Sequence, residues 1–354
     1  MNIHLLLRSP QSFTLRAWRA GLAIGLLAGL AACGGGGGDA PADPPASTPV
    51  TPQVPPPSSA QPAGALWHDN YALDSWDGVQ IASLDGLAPA NVTNKKLALT
   101  PWPDGRQYVT TEWNVAGGYT DLSVVDRASG ASLYALRADG YLRGALPSPT
   151  DKKLVKVVQG AGSTSEFTEF ILDLDTRRAR RQIALQDWFA WMPDGRFLLV
   201  NPEAGTIRIG SVDSSDEVPI GQFRLPQDRR MGPVWVSPTG KQFVVRLPHV
   251  SATGESDLWI ANVDGSGLEQ LTDSKRSFEA LWSPDGRHIA YDTDSGRACT
   301  GTVCSGTCQL WYTTPEQRKV KGLTGTSGSG AFRVNDRQGL SGTPLGCRLL
   351  GWTP

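Results

Sequence analysis

The chain has 354 residues, with 33 Lys and Arg against 34 Asp and Glu, a formal net charge of −1. No whole-molecule field draws it to nucleic acid, so nucleic-acid binding is not expected. Forty glycines and twelve tryptophans suit a turn-dense β fold, and only four histidines and five cysteines are available for metal or nucleophilic chemistry.

Residues 1–32 read as an export signal. Arg8, Arg16 and Arg19 supply the positive region, and Ala20 to Leu30 forms an apolar core too short to span a membrane. The core ends in Leu30-Ala31-Ala32-Cys33, which resembles the bacterial lipobox. That resemblance implies cleavage before Cys33, lipid on its sulfur and amino group, and a membrane anchor. Gly34 rather than Asp follows, which resembles sorting to the outer membrane, facing the periplasm or the cell surface. Residues 33–63 are Gly-rich and then Pro-rich, and cannot bury a core. They are expected to form a tether of about 30 residues reaching ~90 Å.

From 64 to 354 the sequence repeats. Pro103, Pro149, Pro193, Pro238 and Pro284 recur at steps of 46, 44, 45 and 46 residues. The most complete copy is Trp282-Ser283-Pro284-Asp285-Gly286. Proline sets φ for the first central turn position, Asp accepts local backbone hydrogen bonds, and Gly takes the φ > 0 position. The copy at Pro149 carries Asp151 where Gly is expected, and Asp is among the residues that tolerate that conformation. After each turn comes a short apolar run, such as Phe243-Val244-Val245, which predicts a buried second strand. A third strand is clearest at Asp257 to Gly265. A fourth ends in Leu271-Thr272 or Leu323-Thr324.

Four strands per ~45 residues predict a propeller blade. The first blade lacks the turn, but Val79 to Gly86 matches the third strand of later repeats, and Leu349 to Pro354 resembles the opening of another blade. The expected fold is therefore all-β, a six-bladed β-propeller of four-stranded antiparallel blades closed by the C-terminal strand. Seven blades is the alternative, because 325–345 is long enough to hide irregular strands.

The pattern Trp282-Ser283-Pro284-Asp285-Gly286-x-x-Ile289-Ala290-Tyr291, with Leu258-Trp259 and Asp264-Gly265, resembles the TolB-type propeller repeat over roughly 65–354. It is strongest at 232–324. The resemblance implies protein partners in the cell envelope. On the residues present, no α/β domain is expected ahead of the propeller region and no hydrolase domain after it.

With Cys33 lipidated, Cys299, Cys304, Cys308 and Cys347 remain. An oxidising compartment predicts two disulfides, in one of three pairings, and a bond from Cys347 to a loop cysteine is favoured. Their irregular spacing, with no histidine near, argues against zinc. No metal or other cofactor is expected. His288 sits in a variable slot of the turn motif and is expected to be solvated. Arg177 to Arg181 is expected on a solvated hairpin between third and fourth strands. Asp292-Thr293-Asp294-Ser295-Gly296 lacks the following acidic ligand of a calcium loop.

No Gly-x-Ser-x-Gly elbow or phosphate loop appears, so no catalytic residue is assigned. The longest insertions, 114–120, 159–168, 248–257 and 294–308, all join second to third strands and should share one rim. Trp113, Tyr119, Phe167, His249 and Glu255 are the candidates to line it. The expected function is a lipid-anchored envelope scaffold that binds a protein or a glycan. The alternative is a propeller-type hydrolase or lyase.

Overall fold

A computed structural model describes residues 62–72, 75–83, 90–93, 98–160, 167–252, 254–300, 303–322, 330–334 and 348–354. The export signal, Cys33, nearly all of the tether, and Cys347 lie outside these residues.

In chain order the strands fall into groups. The first is β1 (Ala65–Ala72), β2 (Ser75–Ser83) and β3 (Ala90–Thr93). The second is β4 (Ala98–Pro101), β5 (Gln107–Asn114), β6 (Tyr119–Asp126) and β7 (Ser132–Asp139). Next come β8 (Tyr141–Pro147), β9 (Leu154–Gly160), β10 (Phe167–Asp173) and β11 (Arg178–Ile183). The fourth group is β12 (Trp188–Trp191), β13 (Phe197–Val200), β14 (Thr206–Gly210) and β15 (Glu217–Gln222). The fifth is β16 (Val234–Val236), β17 (Gln242–Pro248), β18 (Ser256–Asn262) and β19 (Glu269–Gln270). The sixth is β20 (Ser277–Trp282), β21 (Ile289–Thr300), β22 (Val303–Thr313) and β23 (Phe332–Arg333), and β24 (Arg348–Thr353) ends the chain.

These make six four-stranded sheets among the described residues, each with its strands in chain order except the first, which reads β24-β1-β2-β3. Every pairing within them is antiparallel, and the described residues contain no helix. The opening strands of successive sheets approach one another: β24 meets β4, β4 meets β8, β12 meets β16, β16 meets β20, and β20 meets β24. The third and fourth sheets share a core of Leu154, Ile171 and Ile183 against Phe189, Phe197 and Leu199. The circuit therefore returns to its start, and the fold is an all-β propeller.

The closing contact is built as the sequence predicts. Ala65 pairs with Thr353 and Asp69 with Arg348. Trp67 Nε1 donates to Thr353 Oγ1 at 3.1 Å, and Trp352 Nε1 donates to the Ala63 carbonyl at 3.1 Å. Gly351 passes so close to the second sheet that a Cβ there would lie 2.2 Å from Pro101 Cγ, so no larger residue fits without movement. The Val79-centred segment is the third strand of its sheet, as predicted.

The repeated turn shows why its residue types recur. Ser283 Oγ donates to Asp285 Oδ1 at 2.6 Å and accepts the His288 N–H at 2.9 Å. Asp285 Oδ1 accepts the Arg287 N–H at 3.0 Å, and Gly286 has φ +71°. The repeat tryptophan reaches back one period. Trp282 Nε1 donates to the Trp235 carbonyl and Trp191 Nε1 to the Leu146 carbonyl, each at 3.0 Å. Each bond ties one opening strand to the opening strand of the sheet before it.

Three expectations need correction. Asp151 does not take positive φ; among described non-glycine residues only Arg177, Lys275 and Lys319 do. Its turn closes one residue later instead, with Leu154 N–H donating to the Asp151 carbonyl at 3.2 Å. His288 is not solvated: it is 7% exposed and packs edge-on against Tyr312, and burial lowers its pKa. Residues 294–300 and 303–308, expected to join the second and third strands of their sheet, do so as the paired far ends of β21 and β22. The fourth strand of the sixth sheet is β23, downstream of Leu323-Thr324, which lies outside the described residues with most of 325–345. The arginine run does lie at the β10–β11 hairpin and along the outermost strand of its sheet. There Arg180 pairs with Asp173 and Asp213, and Arg181 with Glu217.

Candidate functional site

Antiparallel strands in chain order put the first-to-second and third-to-fourth turns at one end of a sheet. The second-to-third hairpins and the crossings to the next sheet lie at the other. The geometry confirms this at the β5–β6 hairpin, where Gly140 N–H, in the crossing from β7 to β8, donates to the Gly118 carbonyl at 2.9 Å. The rim is thus lined by two kinds of connection, of which the sequence reading used only the hairpins.

An aromatic group occupies the rim where the second and third sheets meet. Trp113, near the end of β5, sets its ring edge-on to Tyr141 at 5.5 Å and 79°. Tyr141 opens β8 and is paired with Gly160, which is paired in turn with Phe167, so the three share one row across the sheet. A Cβ on Gly160 would lie 2.9 Å from the Phe167 ring, so the bare glycine gives that ring its place. Tyr141 is 38% and Phe167 37% exposed. Beside them Gln159 Nε2 donates to the Asp139 carbonyl at 2.6 Å, while its buried Oε1 has no hydrogen-bond partner among the described residues. Val115, at the same hairpin, is largely exposed.

Tyr119 does not join this group. The Arg137 guanidinium lies 3.6 Å from its ring centre, its hydroxyl accepts from Asn114 Nδ2 at 2.9 Å, and Arg137 grips Asp121 through two hydrogen bonds. These contacts brace the hairpin.

His249 and Glu255 form a second group at the β17–β18 hairpin. His249 Nδ1 accepts the N–H groups of Ser251 and Ala252 at 3.2 and 3.0 Å, and its own N–H donates to the Glu255 carbonyl. Both residues therefore shape their hairpin. His249 Nε2 lies 3.4 Å from Asp228, in the crossing from the fourth sheet. Next to Asp228, Arg229 donates to the Leu247 carbonyl at 3.2 Å and approaches Asp257 at 3.8 Å. Asp257 is wholly buried. Its Oδ1 accepts from the Lys275 N–H at 2.9 Å and from Thr272 Oγ1 at 3.2 Å. Burial pushes its pKa up to about 6, against the opposing pull of those hydrogen bonds and of Arg229. No described contact joins this charged group to the aromatic one.

Sequence reasoning missed Tyr141 and Asp257. Both could have been found by noting that each sheet-to-sheet crossing returns to the hairpin rim: Tyr141 follows one crossing, and Asp257 ties another to its hairpin. A third buried group lies between the third and fourth sheets, where Lys156 pairs with Glu169. Lys156 Nζ sits 5.4 Å from the centre of the Phe189 ring. Burial pushes Lys156 down to about 8. Among the described residues no set of three His, Cys, Asp or Glu side chains is placed to hold a metal ion.

No family model matches the chain. A protein of Streptomyces coelicolor named as a tricorn protease homolog is 44% identical over 59 residues, which is 15% of this chain and 5% of that protein. The chain thus spans about a twentieth of the curated relative it matches. TolB from Acinetobacter baumannii superposes with a TM-score of 0.50 at 18% identity, over 71% of this chain and 60% of that one. A protein of Agrobacterium tumefaciens assigned as TolB gives 0.47 at 16% identity, over 77% and 88%. At 18% identity the likeness to the Acinetobacter baumannii TolB is one of fold alone, that of a β-propeller.

Proposed function

We propose that this is a lipid-anchored binding protein of the bacterial cell envelope, whose propeller holds a protein or glycan partner at the hairpin rim. In this reading residues 1–32 direct export and Cys33 carries the lipid. Residues 33–63 form the tether, and 64–354 form one propeller whose six sheets are its six blades. The TolB-like fold is consistent with an envelope address. The observation that carries the binding role is the aromatic group of Trp113, Tyr141 and Phe167, two of them more than a third exposed and drawn from two neighbouring sheets. Aromatic side chains bring large contact area at low entropic cost, which suits a binding surface. The test is photo-crosslinking in intact cells from Tyr141 and, as a control, from Arg178 on the outermost strand. One reproducible adduct from Tyr141 alone supports the reading. Equal labelling from both positions, or none from Tyr141, defeats it.

A second reading, a hydrolase or lyase, is favoured by one feature. Asp257 is a buried acid near neutral pKa beside Arg229 at the same end of the propeller. Turnover of a glycan or ester from a broad panel, abolished by Asp257→Asn, would move the balance to it.

A further inference from the structure

Four cysteines outside the lipid site allow three pairings, and the backbone register of the β21–β22 hairpin separates them. Cys299 and Cys304 are direct antiparallel partners, flanked by Ala298 opposite Ser305 and Thr300 opposite Val303. Directly opposed residues of an antiparallel ladder have Cα atoms about 4.5 or 5.5 Å apart, inside the span a disulfide bridges. Cys304 and Cys308 lie four residues apart on one extended strand, a separation of about 13 Å that no disulfide crosses. Cys308 is opposite Asp294, five positions from Cys299 along the partner strand, with a register shift between. That separation is also more than ~10 Å. Both pairings that join Cys304 or Cys299 to Cys308 are thereby excluded.

We infer that Cys299 and Cys304 form a disulfide across the tip of this hairpin, which leaves Cys308 to pair with Cys347. The inference uses the export reading only for the oxidising compartment. Formation proceeds by thiol–disulfide exchange with an acceptor disulfide, either a dithiol oxidase or oxidised glutathione. One cysteine thiolate attacks the acceptor, forming a mixed disulfide and expelling the acceptor's first thiolate. The second cysteine thiolate then attacks the mixed disulfide and expels the other. The protein loses two electrons and two protons, and the acceptor leaves as its reduced dithiol, or as two thiols. The bond closes a six-residue loop and pins the far end of the β21–β22 ladder.

The experiment is alkylation under denaturing, non-reducing conditions, read by mass spectrometry, on the full chain exported in its bacterial host. In the unaltered protein none of the four cysteines should be alkylated. In Cys299→Ser the label should fall on Cys304 alone, at one per chain. In Cys308→Ser it should fall on Cys347 alone, with Cys299 and Cys304 still protected. Label on Cys308 or Cys347 in Cys299→Ser overturns the pairing. If all four are alkylated in the unaltered protein, the export reading fails. The folded protein is then oxidised with oxidised glutathione, and any product other than the Cys299–Cys304 bond overturns the pairing by itself.

Discussion

Asp257 ties the hairpin rim to the next sheet at an electrostatic cost. A carboxyl whose folded pKa is raised from 3.8 to about 6 binds its proton more tightly in the native state than in the unfolded chain. Its contribution to stability is therefore greatest below pH ~4 and is lost as pH rises through about 6. Asp257→Asn retains an acceptor for the Lys275 N–H and removes the charge. It should raise stability at pH 8 by at most about 3 kcal/mol, leave it little changed at pH 4, and flatten the pH dependence between. Chemical denaturation at both pH values checks this; equal effects at the two would show that the carboxyl does not titrate in that window.

Lys156 and Glu169 make the opposite kind of site, a buried pair in which each charge needs the other. Lys156→Met alone strands the Glu169 carboxylate, and is expected to cost about 3–5 kcal/mol. Adding Glu169→Leu should recover most of that loss, because the neighbours include the Phe189 ring. A double-mutant cycle by denaturant unfolding measures the coupling, and additive costs would mean that the pair is exposed to water in solution.

At the scale of elements, β24 matters most. It supplies the opening strand of the first sheet, and its partner β1 follows the N-terminal segment. Removing residues 348–354 leaves β1 as an unpaired edge and exposes Trp67, which is wholly buried. The truncated chain should aggregate or lose its cooperative transition, measured by light scattering and thermal unfolding. A soluble truncation with an unchanged Tm would contradict the closure. Gly351→Ala is the milder form, pressing a methyl into Pro101, and should cost about 1–3 kcal/mol.

For the whole molecule, the export and anchoring proposal makes its own prediction. Cells fed labelled palmitate should incorporate it into the unaltered chain, and Cys33→Ser should lose that label completely while the propeller remains folded. Retention of label in Cys33→Ser would place the lipid elsewhere or remove it from the account.

The repeat made the fold legible because each copy writes its own local physics. Pro284, Asp285 and Gly286 specify a turn, and Ile289 to Tyr291 a buried strand, whatever surrounds them. The near-constant spacing of such units leaves a ring as the simplest way to pair every edge. The missing opening strand of the first sheet and the strand-like tail were also readable, since each was incomplete alone. The candidate site was only partly legible. Trp113 and Phe167 were named because insertions flag a rim, but Tyr141, which packs against Trp113, comes from a crossing between repeats that carries no motif. Tyr119 and His249 lie at hairpins. What they do there was fixed by partners, Arg137 and the Ser251 and Ala252 amides, that spacing does not reveal.

Local turn chemistry and strand periodicity act over a few residues, so sequence alone determined the repeating unit, its length and its ring-forming tendency. Which side chains meet across neighbouring sheets, whether His288 is wet or dry, and which cysteine stands opposite Cys299 depend on register and on packing between segments distant in the chain. Those were decided only when the sheets came together, because burial and cross-strand position are properties of the assembled neighbourhood rather than of any residue's own type.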